Sequence, residues 1–206
     1  MNPLHSFYRL CTKTIPSRWY CILSGLHYQK GWLIRGKIFI IKKSWFNRLV
    51  LHSPNGTLQI GERFSCNSII KSNSIGLIQP TVLNISSEGS VLTIGNNVGI
   101  SGSTICASVS VTIGNNVLIG SGCLITDTDA HPLDWRDRQM GANEHTLRSP
   151  VVIGNDVFIG ARSIILKGVK IGARSVIGAG SVVTNNIPSD CIVAGNPAKV
   201  VKWLKQ

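Results

Sequence analysis

Ile153, Ile159, Ile165, Ile171, Ile177 and Val183 recur at an unbroken spacing of six residues, and glycine follows four of them, at Gly154, Gly160, Gly172 and Gly178. A helix repeats its apolar face near 3.6 residues and a strand at every second one, so neither isolated element accommodates a sustained six. The repeating unit must be longer. A short strand followed by a bend, with three such units closing one turn of a coil, directs every Ile position inward. Strand alternation also turns inward the residue two positions earlier. Those residues, Val151, Val157, Ser163, Val169, Ser175 and Ser181, are small or β-branched, as a narrow interior requires. The same phrase recurs upstream with irregular gaps, in "TLQIG" ending at Gly61, "VLTIGNNVGI" from Val91 and "VTIGNNVLIG" from Val111. Bends favour residues that tolerate left-handed backbone angles. Asn96-Asn97, Asn115-Asn116, Asn155-Asp156 and Asn185-Asn186 fall where they are needed. The pattern predicts an all-β solenoid whose neighbouring coils supply the core.

The coil pattern occupies residues 51–206, and residues 1–50 form an extension of different character. Residues 1–61 contain nine Lys or Arg and no Asp or Glu, within a chain of net charge +12. Such one-signed charge suits an anionic ligand, a membrane face or nucleic acid, or serves solubility alone. Phe7, Tyr8, Trp19, Tyr20 and Trp32 interleave with Arg9, Lys13 and Arg18, which suits a partly helical segment lying on anionic lipid at the inner membrane surface, or one packed on its own domain or a neighbouring subunit. No apolar run is long enough to span a bilayer. Six cysteines without a C-x-x-C pair or zinc spacing, and no secretion signal, point to reduced thiols in a cytoplasmic protein.

The period breaks once on a large scale. From Ile113 to Ile153 is forty residues, and "GSGCLITD" still reads as coil to about Asp127, so the segment from Thr128 to about Arg148 is expected to project as a loop. Asp127, Asp129, Asp134, Asp137 and Glu144, five of the nine acidic residues, lie in or beside it. Taken alone, His131 in "DAHPLD" is either a solvated surface group or a catalyst, and spacing does not choose.

The stretch "VVIGNDVFIGARSIILKGVKIGARSVIGAGSVVTNNIPSDCIVAGNPAKVVKWL" resembles the C-terminal half of hexapeptide-repeat acyltransferases, and the resemblance extends over roughly residues 56–204. It implies a left-handed parallel β-helix with a short C-terminal helix, assembled as a homotrimer. Without it, the general crossover preference would give the opposite hand. "DAHPLD" is similar to the His-Pro segment of maltose and galactoside acetyltransferases and of polysaccharide O-acetyltransferases, which implies that His131 is the catalytic base of an acetyl-CoA-dependent transfer to a sugar hydroxyl in surface polysaccharide or lipopolysaccharide synthesis.

Histidine suits that chemistry because it titrates near neutral pH: its free nitrogen can take the hydroxyl proton as oxygen attacks the thioester and later protonate the departing thiolate. Its second nitrogen needs an acceptor, for which Asp129, Asp134 or a backbone carbonyl are candidates. Asp127 and Asp137 are expected to hydrate the loop. The resemblance further implies that the backbone N–H of Ala161 faces the thioester oxygen, and that Ala179, Thr184, Lys199 and Lys202 follow the acetyl-CoA track. Small residues at 161 and 179 equally let coils and subunits pack closely. Where relatives often have Thr-Lys, this chain has Thr184-Asn185, and Lys167 stands where Pro is common, either as a compensating cation or facing solvent. Trp135 is a wall for pantetheine or sugar, or an anchor to a neighbouring subunit. "VGISGSTI" resembles the polysaccharide-modifying branch and implies that Ser101 and Ser103 face the acceptor.

Other classes remain for comparison. A zinc-dependent carbonic anhydrase of similar fold requires three convergent histidines, whereas His5, His27, His52, His131 and His145 are scattered outside the regular hexads, so no metal is expected. No nucleic-acid-binding motif accompanies the basic extension. Amino-sugar N-acetylation, serine or antibiotic O-acetylation and a non-catalytic scaffold stay open, although nothing resembles the helical domain of serine acetyltransferases.

Overall fold

The six-residue period lays successive hexads on three faces, and each coil stacks in register on the next: Ile153 pairs with Ile171, Ile159 with Ile177 and Ile165 with Val183. The computed structural model describes residues 19–24, 31, 33–35, 37–42, 56–85 and 87–205. Face 1 contains Thr57–Ile60, Val91–Ile94, Ser110–Ile113, Val151–Ile153 and Lys170–Ile171. Face 2 contains Leu33–Arg35, Ser65–Asn67, Gly99–Ser101, Leu118–Ile119, Phe158–Ile159, Val176–Ile177 and Cys191–Gly195. Face 3 contains Lys37–Lys42, Thr81–Asn84, Thr104–Cys106, Leu124–Thr126, Ile164–Ile165 and Val182–Val183. Neighbouring strands in these three groups run parallel, as a coil that advances one layer per turn must make them.

The interior follows the sequence pattern closely. Ile94, Ile113, Ile153 and Ile171 stack inside face 1, Ile100, Ile119, Ile159 and Ile177 inside face 2, and Ile105, Ile125, Ile165 and Val183 inside face 3, all buried. Each contributes about 1.5–3 kcal/mol relative to an exposed side chain. Ser163, Ser175 and Ser181 are also buried, and their hydroxyls donate to corner carbonyls: Ser163 to Gly160 O at 2.8 Å, Ser175 to Pro188 O at 2.7 Å and Ser181 to Gly178 O at 2.6 Å. Small polar residues fit there because the bend presents an acceptor within reach.

The first corner, between faces 1 and 2, is built from left-handed residues stacked in a column: Arg63, Asn97, Asn116, Asp156, Arg174 and Asp190 all have φ between 52° and 60°. Their side chains form a ladder, with Arg63 Nε donating to Asn97 Oδ1, Asn97 Nδ2 to Asn116 Oδ1 and Asn116 Nδ2 to Asp156 Oδ1, all at 2.8–3.0 Å. Arg174 closes the column on Asp190 at 2.6 Å. Asn185-Asn186 makes no such left-handed turn. Asn186 Oδ1 instead accepts from Lys170 N at 2.8 Å.

Two differences from expectation concern the ends. The short C-terminal helix is corrected to a strand: Ala198–Trp203 folds back antiparallel on Cys191–Gly195. The β-branched pair Val200-Val201 favours extended backbone, and the open edge of the last coil offers a partner. Of the extension, the described backbone is extended, with Trp19–Ser24 antiparallel to Lys37–Lys42. The helical part expected there lies outside the described residues.

Ile113 pairs directly with Ile153, so the spacing of forty between them makes one coil plus one excursion. The chain leaves at the third corner, between faces 3 and 1, and its neck is tied by Ser149 N to Asp127 O at 2.9 Å, Asp129 N to Leu147 O at 3.1 Å and an antiparallel bridge between Thr128 and Arg148.

Candidate functional site

The projecting loop is built around helix α1, Trp135–Met140. Asp134 caps it: the carboxylate accepts from Arg136 N at 2.8 Å, and Gly141 ends it at φ 71°. A capping Asp followed by a short run and a left-handed glycine is a local start and stop signal, so the loop carries its own fold instructions. Arg138 braces the entrance, its guanidinium donating to Pro132 O at 2.8 Å and Leu133 O at 2.7 Å. Asp137 pairs with His145 at 2.9 Å, a contact that raises the affinity of His145 for its proton through the hydrogen bond first and the carboxylate charge second.

His131 is exposed on this loop, immediately after Ala130, whose φ is 64°. A left-handed alanine costs about 1–2 kcal/mol, and such strain persists only where the surroundings enforce it. Here Ala130 N donates to Thr128 Oγ1 at 3.1 Å, and the braced Pro132-Leu133 carbonyls follow. No hydrogen bond joins His131 to another described side chain.

The two aspartates expected to orient His131 are engaged elsewhere. Asp134, besides capping α1, forms a two-pronged pair with Arg136, at 3.1 and 2.8 Å, which holds its carboxyl below the usual range. Asp129 Oδ1 accepts from Lys167 Nζ at 2.8 Å. Its other oxygen, Oδ2, is buried without a partner among the described residues. Asp127 is not a hydrating group: it is 0% exposed, and its two oxygens accept from Ser108 N and Val109 N, each at 2.7 Å. That carboxylate closes the third corner one coil below.

Ala161 and Ala179 stand at the second corner, between faces 2 and 3, stacked one coil apart. The packing there is close: a Cβ on Gly120 would fall 2.6 Å from Ala161 N, and one on Gly160 would fall 2.5 Å from Ala179 N. A comparison with the first corner shows what this does. There, in the earlier coils, the amide at the same turn position is capped by an asparagine from the next coil, Glu62 N by Asn96 Oδ1, Asn96 N by Asn115 Oδ1 and Asn115 N by Asn155 Oδ1, each at 2.8 Å, and the capping ends where Ala173 follows Asn155 in the column. Alanine has no side-chain acceptor. The N–H groups of Ala161 and Ala179 accordingly donate to nothing among the described residues. The second corner presents an edge of unspent backbone donors.

Lys199 joins this edge: it lies opposite Ala194, whose Cβ is 3.1 Å from where a Gly178 Cβ would stand. Lys202 lies opposite Ile192, toward the first corner, and Thr184 follows face 3 at the third corner, so neither shares the edge of Ala161. Ser103 is corrected as an acceptor contact. It is 0% exposed, its hydroxyl is placed to donate to Ser101 O and Gly120 O, and it accepts from Cys123 N at 2.9 Å. The corner at Gly102 separates the two serines: Ser103 turns inward with Ile105 two residues on, while Ser101, next to the inward Ile100, faces out. Ser101 lines a concavity of about 350 Å³ on face 2 with Gly99, Leu118 and Phe158, across the coil from the corner that carries His131. Trp135 is 59% exposed, with the Arg136 guanidinium 5.9 Å from its ring centroid.

Sequence reasoning missed the roles of Lys167, Asp127 and Arg138. For Lys167 a signal existed in its replacement of the usual Pro. Among the described residues no three His, Cys, Asp or Glu side chains converge to hold a metal ion, and no helix is long and apolar enough to cross a membrane.

Residues 150–185 match a family model described as a hexapeptide repeat of succinyl-transferase. Over 99 residues the chain is 42% identical to galactoside O-acetyltransferase of Escherichia coli K12, which is 48% of this chain and 47% of that protein. It spans less than half the length of the curated relatives it matches. Among solved structures, it is 30% identical to a hexapeptide-repeat containing acetyltransferase from Vibrio cholerae, with a TM-score of 0.52 over 77% of this chain and 78% of that one. A galactoside acetyltransferase in complex with coenzyme A is 31% identical, with a TM-score of 0.51 over 72% of this chain and 65% of that one.

Proposed function

The chain belongs to the hexapeptide-repeat acetyltransferases, and from that membership we propose that it transfers an acetyl group from acetyl-CoA to a sugar hydroxyl, with His131 as general base. The coil is left-handed and three copies form a ring. The observation that supports this most directly is the division of the chemistry between two edges: an exposed imidazole at the third corner and open N–H donors at the second. Neither edge is a reaction centre alone. In a closed ring of heterologous contacts one copy's third corner faces the next copy's second corner, and a cleft between them holds both.

Within such a cleft the chemistry balances. His131 takes the proton of the acceptor hydroxyl as its oxygen bonds to the thioester carbonyl carbon. The negative charge that develops on the carbonyl oxygen meets the Ala161 N–H, whose place in the coil is set before substrate arrives. As the C–S bond breaks, the imidazolium returns its proton to the coenzyme A thiolate. Ala179 and Lys199 extend the donor edge toward the phosphates of acetyl-CoA. Of the two aspartates, we assign Asp129 to the second imidazole nitrogen, because its Oδ2 has no partner among the described residues while both oxygens of Asp134 already accept from Arg136. Galactoside acetyltransferase supports a carbohydrate acceptor, and the basic, aromatic extension supports an acceptor presented at an anionic membrane surface on the cytoplasmic side, as in surface polysaccharide synthesis.

The test is thiol release from acetyl-CoA with a panel of sugars and glycans. His131→Ala should slow transfer by about 10²- to 10⁴-fold while the oligomer and its stabilisation by coenzyme A persist. Equal rates in variant and parent would remove His131 from the reaction.

A further inference from the structure

An ion pair ties the loop that carries His131 to the coil beyond its own neck. Lys167 occupies the corner between Ile164–Ile165 and Lys170–Ile171, one coil beyond the point where the loop leaves. Its side chain is 28% exposed and that of Asp129 is 21% exposed, and the 2.8 Å contact between them is partly shielded from water. A carboxylate with one buried, unbonded oxygen is costly to keep ionised without a cation beside it. Lys167 supplies that cation.

The backbone around the pair is fixed on both sides. Asp129 N is bonded to Leu147 O, Thr128 bridges Arg148, and Gly168 N, next to Lys167, donates to Ser149 O at 2.9 Å in the returning strand of the neck. Two residues after Asp129 comes His131, reached through the strained Ala130, and after it the carbonyls held by Arg138. The imidazole therefore sits between two clamps. The downstream clamp belongs to the loop itself, and the upstream one is anchored in the coil.

We propose that Lys167 is a positioning residue of the transfer centre, acting through Asp129 to fix the backbone ahead of His131 and to neutralise the carboxylate two residues before it. The proposal rests on the reading of His131 as general base. Of the other charges of the loop, Asp134 pairs with Arg136, Asp137 with His145, and Arg138 binds backbone carbonyls, whereas the side chains of Glu144 and of Arg148 at the neck are exposed and have no hydrogen-bond or ion-pair partner among the described residues. With Asp129 assigned to the second imidazole nitrogen, removal of the Lys167 charge leaves that carboxylate unbalanced and favours a protonated imidazole. Removal of the Asp129 charge leaves Lys167 unbalanced and does the reverse.

The experiment measures kcat, KM for acetyl-CoA and the pH–rate profile for Lys167→Met, Lys167→Arg, Asp129→Asn and the double variant Lys167→Met/Asp129→Asn, with melting and oligomeric state recorded for each. Lys167→Met is expected to lower kcat about ten-fold with KM for acetyl-CoA unchanged, and to move the acidic limb of the profile about half a pH unit toward alkali. Asp129→Asn should move the limb toward acid, and the double variant should return it to the parent position. Lys167→Arg should keep both rate and profile. A loss of rate that only loosened the loop would leave the limb in place in all four variants and would overturn the proposal. So would parent rates in Lys167→Met alongside an inactive His131→Ala, which leaves the base assignment standing. A fully active His131→Ala overturns both.

Discussion

At the scale of single residues, the same amino acid acquires different meanings from the direction in which the coil turns it. Ser101 and Ser103 are two positions apart and both were candidates for the acceptor. Ser103 is a core group, its hydroxyl bridging corner carbonyls and the Cys123 amide across successive coils. Ser103→Ala should therefore cost about 1–3 kcal/mol of stability, the penalty for a buried donor left unpaired, and leave the acceptor KM unchanged. Denaturant unfolding with parallel kinetics checks this, and a raised KM at parent stability would restore Ser103 as a substrate contact. The thiols Cys66, Cys106 and Cys123 follow the same logic: burial pushes each above its ordinary range, so they behave as packing groups and not as nucleophiles.

At the scale of elements, the corners divide structural from chemical work. The first corner spends its side chains and its amides as far as Asn115 on a ladder of polar contacts, while the amides of Asn155 and Ala173 there, like those of Ala161 and Ala179 at the second, stay open among the described residues. The ladder also demands left-handed backbone from residues other than glycine. Asn116, at φ 57°, bonds to rungs on either side. Asn116→Gly loses those bonds and keeps the backbone at ease, whereas Asn116→Ala loses them and adds left-handed strain. The alanine variant should unfold about 1 kcal/mol more easily than the glycine variant, the reverse of their order inside a helix or strand. Urea midpoints of the two proteins test it, and equal midpoints would mean that the column does not enforce its backbone angle. The loop is a separate element with its own cap, helix and stop, and its inserted residues leave the register of Ile113 on Ile153 undisturbed.

At the scale of the whole molecule, the proposed division of the centre between two corners makes activity the property of an assembly. If each centre combines the His131 loop of one copy with the Ala161 edge of the next, two inactive variants can complement. Subunits bearing His131→Ala, mixed one to one with subunits bearing Ala161→Trp, should regain about a quarter of the parent's active centres in statistically mixed trimers. The readout is acetyl transfer after joint refolding, compared with each variant refolded alone. No recovery, with mixed trimers demonstrated, would place the whole centre within one chain.

The hexad carried the coil, its three faces, the inward aliphatics and the inward small residues, because each is a periodic demand made by a few neighbouring side chains. Ile153 to Val183 needed no distant information to declare their place. The limits of the loop were legible for the same reason, as an interruption of a period. The partner of Asp129, the burial of Asp127 and the strand at Ala198–Trp203 came from meetings between segments remote along the chain. An isolated Lys-Val-Val-Lys run or a lone Lys167 contains no trace of the coil edge that receives it. Local repetition specifies a coil, and only the stacking of coils brings one layer's lysine to the next layer's carboxylate.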